Sequence, residues 1–246
     1  MTIILVPYHQ DERLADGSIP VAADITVHPE FPDGDRWQRL SRLFESVAAV
    51  VAPVVAAGRV PVVFSGDCLV AGATVAGVQR AGSDPAVVWF DAHGDVHTLE
   101  SSTSGYLGGM ALRLLNGAHP DLYADRFGLR PVAPGRSVLV DARDLDPAEE
   151  EYLASSPTPR IPVASVSADT VPPGPLVVHV DVDVIDAAEL PGLRFPVPGG
   201  PSTGAVLAAC ERLLATGRVV ALDIACPWWP ATGPDADTRS RLLARF

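Results

Sequence analysis

Positive charge is scarce in this chain. Lys and Arg together number 18 against 30 Asp and Glu over 246 residues, a net charge of −12 with a pI near 4.8, and no basic run offsets the imbalance. Nucleic acid and anionic membrane surfaces both reward clustered cations, so neither is expected as a partner. Cysteine is scarce as well. Cys68, Cys210 and Cys226 are too few and too odd in number for a disulfide framework, which points to a reducing compartment, the cytoplasm. No apolar stretch reaches bilayer-spanning length. The opening MTIILVPYHQDE lacks a basic leader and meets Gln10 to Arg13 before any cleavage-like site, so no signal peptide is expected. Repeats, low-complexity tracts and clear linkers are also missing. With 48% hydrophobic residues, the chain reads as a single domain over 1–246 with a large core.

What is present is a rhythm of short apolar runs and longer amphipathic stretches. Ile3 to Val6, Pro61 to Phe64, Ala86 to Phe90, Ser137 to Val140, Leu176 to Val180 and Val219 to Ile224 are rich in Val, Ile and Leu without polar alternation. Strands covered on both faces read this way. Between them, helices are expected at Arg36 to Ala57, Val70 to Arg80, Gly109 to Asn116, Pro147 to Ala154, Thr203 to Thr216 and Asp235 to Arg245. Pro147 suits a first helical position and Gly217 a helix stop. The alternation predicts a three-layer α/β/α fold with a mainly parallel sheet.

Two acidic signatures close two of these runs: Asp91-Ala-His93-Gly-Asp95 after Phe90, and Asp181-Val-Asp183 after Val180. Residues two apart on an extended chain share a face, so each cluster aims its ligating groups at one point. Ser65-Gly66-Asp67-Cys68 follows a third run, and Asp223 lies near the close of a fourth. Ligands in open parallel sheets bind beyond the carboxyl ends of the strands, so one rim is expected to collect all of these groups. Carboxylates with one imidazole suit a divalent ion of the Mn, Fe, Co or Zn group, or two ions sharing a water, which makes hydrolysis the expected reaction class.

These segments resemble the ureohydrolases, the family of arginase, agmatinase and formiminoglutamase, which share the arginase/deacetylase fold. Gly66-Asp67-Cys68 is similar to the family's Gly-Gly-Asp-His, Asp91 to Asp95 to its Asp-Ala-His-x-Asp, and Asp181 to Asp186 to its Asp-Val-Asp-x-x-Asp. Ser102 to Gly105 with Gly108-Gly109 resembles the substrate loop, and Pro196 to Gly200 and Leu222-Asp223-Ile224 the two late motifs. The resemblance implies a manganese centre of one or two ions that activates water for attack on a guanidinium or formimino carbon. Asp91, His93, Asp95, Asp181 and Asp183 match metal ligands, and Cys68 stands where the family has a further histidine. A thiolate favours zinc, so Zn2+ is an alternative to Mn2+. Asp95 and His97 are the candidate catalytic residues. Ser104, Asp146, His97 and Cys226 occupy substrate-contact positions. The partner implied is a small-molecule substrate, and family members are often homo-oligomers.

The departures cluster at the reacting end. Cys226 replaces an acid that holds a guanidinium, Phe195 replaces a small hydroxyl residue, and Gly108 replaces a histidine that relays protons. Arginine itself is therefore not the expected substrate. Each thiol also has an ordinary reading: Cys68 is either a ligand or a small buried hydrophobe, and Cys226 a packing residue. His179, one step deeper than Asp181, reads as a core histidine satisfied by its neighbours, and His119 as part of a surface loop. Two functions stay open: a metal-dependent hydrolase of C–N bonds in guanidino, formimino or related compounds, or a non-catalytic relative that keeps the fold and one metal as a binding or assembly subunit.

Overall fold

The computed structural model describes residues 1–246. Its elements in chain order are β1 (Thr2–Val6), β2 (Tyr8–His9), β3 (Glu12–Arg13), β4 (Ile25–Thr26), α1 (Arg36–Ala56), β5 (Pro61–Ser65), α2 (Val70–Arg80) and β6 (Ala86–Phe90). They continue with α3 (Ala111–Leu115), β7 (Ser137–Val140), α4 (Pro147–Ser155), β8 (Arg160–Ile161), β9 (Leu176–Asp181), α5 (Thr203–Leu214), β10 (Val219–Ala225) and α6 (Pro234–Leu243). Eight strands form one sheet in the order β4-β1-β5-β10-β9-β6-β7-β8, and every pairing in it is parallel. The apolar runs expected to be strands are the long ones. The two edge strands, β4 and β8, and the hairpin β2–β3 have two residues apiece, too short to leave a periodic trace.

Residues of each strand point alternately to two apolar layers, which is why the runs lack polar alternation. On one face Val87, Trp89, Val177 and Ala221 pack with α1, α2 and α3. On the other, Val88, Phe90, Val178, Val180, Leu222 and Ile224 pack with α5 and α6. α1 and α2 lie close because Gly77 of α2 meets Val51 of α1. α1 starts on an Asp35–Gln38 capping box, each side chain accepting the other's backbone N–H at 2.9 Å, a standard way to satisfy free donors at a helix start.

The strand order determines where the polar groups gather. β9 and β10 insert between β5 and β6, so the four central strands, β5, β10, β9 and β6, deliver their carboxyl ends side by side. Asp91 follows β6, Asp181 closes β9, and Cys68 follows β5. Register places Trp89, His179 and Asp223 in one row across β6, β9 and β10, directly beneath Asp91 and Asp181.

Candidate metal centre

A cavity of about 300 Å3 opens above this rim. Nine of the ten sequence-derived site residues line it: Cys68, Asp91, His93, Asp95, His97, Ser104, Asp146, Asp181 and Asp183. Cys226 does not. It is buried in the apolar layer shared with α5 and α6, its backbone N–H donating to Ser65 O at 2.8 Å, while its neighbour Pro227 reaches the cavity. Of the two readings of Cys226, substrate contact and packing, this placement matches packing. At Cys226 the strand β10 has just ended, and the side chain points to the face opposite that of Asp223 and Ala225.

The floor of the cavity is built by short loops that fold back on their own carboxylates. Asp91 Oδ1 accepts the backbone N–H of His93 at 2.7 Å, Asp181 Oδ1 accepts that of Asp183 at 2.9 Å, and Asp183 Oδ1 accepts that of Ala92 at 3.3 Å. Trp89 donates its indole N–H to Asp91 Oδ2 at 3.1 Å. His93 Nδ1 lies 3.3 Å from Asp91 Oδ1 and 3.2 Å from Asp183 Oδ2. Ligand atoms of Asp91, His93 and Asp183 all fall within 4.8 Å of one another, close enough to share one cation. Cys68 Sγ donates to Asp181 Oδ2 at 2.8 Å. Asp95, in the left-handed region at φ 53°, turns a carboxylate into the site whose Oδ2 is buried with no partner.

Four buried carboxylates against one imidazole is an electrostatic excess of negative charge. Burial works against the charge on His93, but its hydrogen bonds with Asp183 and Asp91 outweigh that and push it up to about 12. Burial and the neighbouring Asp91 raise Asp183 to about 6. Burial, then Asp183 and Asp91, hold Asp181 well above the ordinary carboxylate range, and burial with Asp91 does the same to Asp95. Asp91 alone is lowered, its burial overcome by His93. Burial and the charge of Asp181 keep the Cys68 thiol protonated. Crowded carboxylates that cannot all ionise are the arrangement a divalent cation relieves. With the orphaned Asp95 oxygen, the donor set fits such an ion.

Around the mouth, His97 Nε2 lies 3.0 Å from Asp146 Oδ2 and its Nδ1 3.1 Å from Ser101 Oγ. Asp146 sits at the start of α4, its backbone N–H donating to Glu149 Oε2 at 3.1 Å. Glu149, not singled out from the sequence, is buried and lines the cavity; its Oε1 accepts the Val96 N–H at 3.2 Å. The Asp-x-x-Glu spacing of a capping box was the signal for it. Gly94 permits the approach, since a Cβ there would collide with the Glu149 carboxylate. Tyr106 had no such signal. Its ring fills the space that a side chain at Gly108 would occupy, its hydroxyl donates to Asp67 Oδ2 at 3.3 Å, and Phe195 packs on it with ring centroids 4.9 Å apart. Trp228 is buried, donating to Ser18 O at 2.8 Å, whereas Trp229 is exposed in a neighbouring hollow with Arg194.

A wholly parallel sheet that collects carboxylates, an imidazole and a thiol in one cavity at its carboxyl rim defines the class: an α/β protein with a candidate divalent-metal centre. The model of the arginase family matches residues 5–244, and the chain belongs to that family. The arginase of Eremothecium gossypii is 32% identical over 186 residues, 68% of this chain and 46% of that protein, so the matched stretch spans about half of that relative. Among solved structures, arginase from Bacillus subtilis superposes with a TM-score of 0.79 at 22% identity over 100% of this chain and 97% of that one. Formimidoylglutamase from Bacillus subtilis superposes with a TM-score of 0.70 at 17% identity, covering 99% and 85%. These likenesses carry the α/β fold.

Proposed function

We propose that the chain is a metal-dependent hydrolase that cleaves a C–N bond in a small guanidino, formimino or related amidine-like compound other than arginine. The observation that carries this is the buried set of four carboxylates and one imidazole, whose carboxylates cannot all ionise unless a cation joins them, on the floor of a cavity large enough for a small ligand. Asp91, His93, Asp181 and Asp183 would hold one ion, and Asp91, Asp95 and Asp181 with Cys68 a second, manganese or, given the thiol, zinc. Bound there, divalent ions lower the pKa of a water and polarise the carbon it attacks.

The protein's own groups would bind and orient the substrate. Asp144, Asp146 and Glu149 line the mouth and favour a positively charged amine or amidine entering the cavity. Asp146 and Ser104 would contact the substrate's distal end. His97, with its Nε2–H directed at Asp146 and Ser101 at Nδ1, would serve as a proton donor at Nε2. Phe195 and Tyr106 wall one side and limit water. Position 226 supplies no carboxylate for a guanidinium, and this supports a substrate other than arginine.

We read residues 1–246 as one domain acting as a homo-oligomer in the cytoplasm; three free cysteines suit a reducing compartment, and no helix is long and apolar enough to cross a membrane. The test is a panel of guanidino and formimino compounds incubated with manganese- or zinc-loaded protein, reading urea, formamide and ammonia. Release from at least one compound other than arginine, abolished by Asp91→Asn, is expected. Metal uptake with no release from any of them would turn the reading toward a non-catalytic binding subunit.

A further inference from the structure

Asp91 belongs to two candidate ligand sets. Beside the one with His93 and Asp183, its carboxylate joins Cys68 and His179, all three buried, with ligand atoms again within 4.8 Å of one another. His179 stands on β9 between Trp89 of β6 and Asp223 of β10 and is fully buried. Its Nδ1 lies 2.8 Å from Asp223 Oδ1, and the other oxygen of that carboxylate accepts from Thr74 Oγ1. Trp89 packs on the ring with centroids 3.8 Å apart. The imidazole is thus fixed in tautomer and orientation, with Nδ1 donating to the carboxylate. Its remaining nitrogen, Nε2, is buried with no hydrogen-bond partner.

A histidine satisfied only by Asp223 explains one nitrogen. It does not explain the second, an acceptor enclosed beside a thiol and a carboxylate. A carboxylate holding one imidazole nitrogen while the other is left open is the arrangement by which proteins present histidine to a metal. We propose that His179, in the place given above to Asp95, supplies the imidazole of the second ion site, which becomes Cys68–Asp91–His179, suited to a zinc-type cation and sharing Asp91 with the His93 site. This rests on the reading that Asp91 ligates metal. One sulfur, one nitrogen and one oxygen donor favour zinc or cobalt over manganese. Asp181 Oδ2, 2.8 Å from the sulfur, is at hand for a fourth position. On binding, Cys68 would give up to solvent the proton it now donates to Asp181, and its single thiolate would ligate the ion.

The test uses the full chain, stripped by chelator and titrated with Zn2+ alone and with Co2+ alone. Two equivalents of zinc and a near-ultraviolet cobalt–thiolate charge-transfer band are expected. His179→Gln and Cys68→Ser should each lose one equivalent and the band, while His93→Gln loses the other equivalent and keeps the band. Asp223→Asn, which leaves every ligand in place, should weaken the thiolate site roughly ten- to a hundredfold. If His179→Gln fails to fold by circular dichroism, Asp223→Asn and the sulfur and imidazole count at the zinc absorption edge of the wild type decide. Wild-type stoichiometry and band in His179→Gln would overturn the proposal. One ion lost only in His93→Gln, with no cobalt–thiolate band, would overturn it too and leave the hydrolase reading intact. Zinc held through Cys68 and His179 with no turnover of any substrate would uphold it while that reading fell.

Discussion

Asp183 shows what the site does to a single side chain. In the ion-free protein its carboxyl titrates at about 6, raised from an ordinary 3.8. Below about pH 4 it is protonated folded or unfolded and contributes no pH dependence. Between 3.8 and about 6 the unfolded chain releases that proton while the folded chain keeps it, so stability falls as pH rises through this window. Asp181 and Asp95, raised for the same reasons, act in the same direction. Urea denaturation of chelator-treated protein at pH 4 and pH 6.5 should show the loss, and Asp183→Asn should remove on the order of 2 to 3 kcal/mol of it; an unchanged pH profile in the variant would show that the carboxylates are not crowded as described. At the mouth, Ser104→Ala should raise KM roughly three- to tenfold with kcat unchanged, the mark of a lost binding contact made equally in ground and transition states. The clustering of the carboxylates was legible in the sequence because two-residue spacing at strand ends aims side chains at one point. Tyr106 was not, because filling the gap beside Gly108 depends on a loop conformation rather than on spacing, and the open nitrogen of His179 depends on how neighbouring strands align. For Cys226 the sequence left both substrate contact and packing open, because a motif position says nothing about which face a side chain takes once β10 has ended.

Secondary-structure elements were read most surely where they are long. A strand buried on both faces must be apolar throughout, so β5, β6, β7, β9 and β10 announce themselves, while β4 and β8 are strands only because longer neighbours supply the hydrogen bonds. The close approach of α1 and α2 rests on Gly77, where a Cβ would press into Val51. Gly77→Ala should therefore cost about 1 to 3 kcal/mol through overpacking, despite the better helix propensity of alanine. Chemical denaturation measures it, and a stabilised variant would mean that the two helices slide apart freely. The helix α4 ties structure to site: Asp146 and Glu149 serve both its first turn and the cavity mouth. Glu149→Gln should lower the thermal midpoint and weaken substrate binding together, since one carboxylate accepts the N–H groups of Val96 and Asp146 while facing the cavity.

At the scale of the whole molecule, one eight-stranded sheet from edge strand β4 to edge strand β8 with an apolar layer on each face predicts a single cooperative unfolding transition, as one domain requires. Calorimetric and van't Hoff enthalpies should agree, and two resolved transitions would refute the one-domain reading. The excess of negative charge acts over the same scale. A net charge of −12 with an acidic cavity mouth should draw in cationic substrates, so KM for an amine-bearing amidine should rise as salt screens the field. The overall topology was readable because alternating strands and helices leave few arrangements; that β9 and β10 slot between β5 and β6 was not, because insertion of late strands into the middle of a sheet leaves no local mark. The central claim is that this rim holds divalent cations, and anomalous diffraction from crystals soaked in Zn2+ and in Mn2+ tests it most directly. A peak between Asp91, His93 and Asp183 is the result expected; maps with no anomalous peak at the rim after either soak would contradict the account.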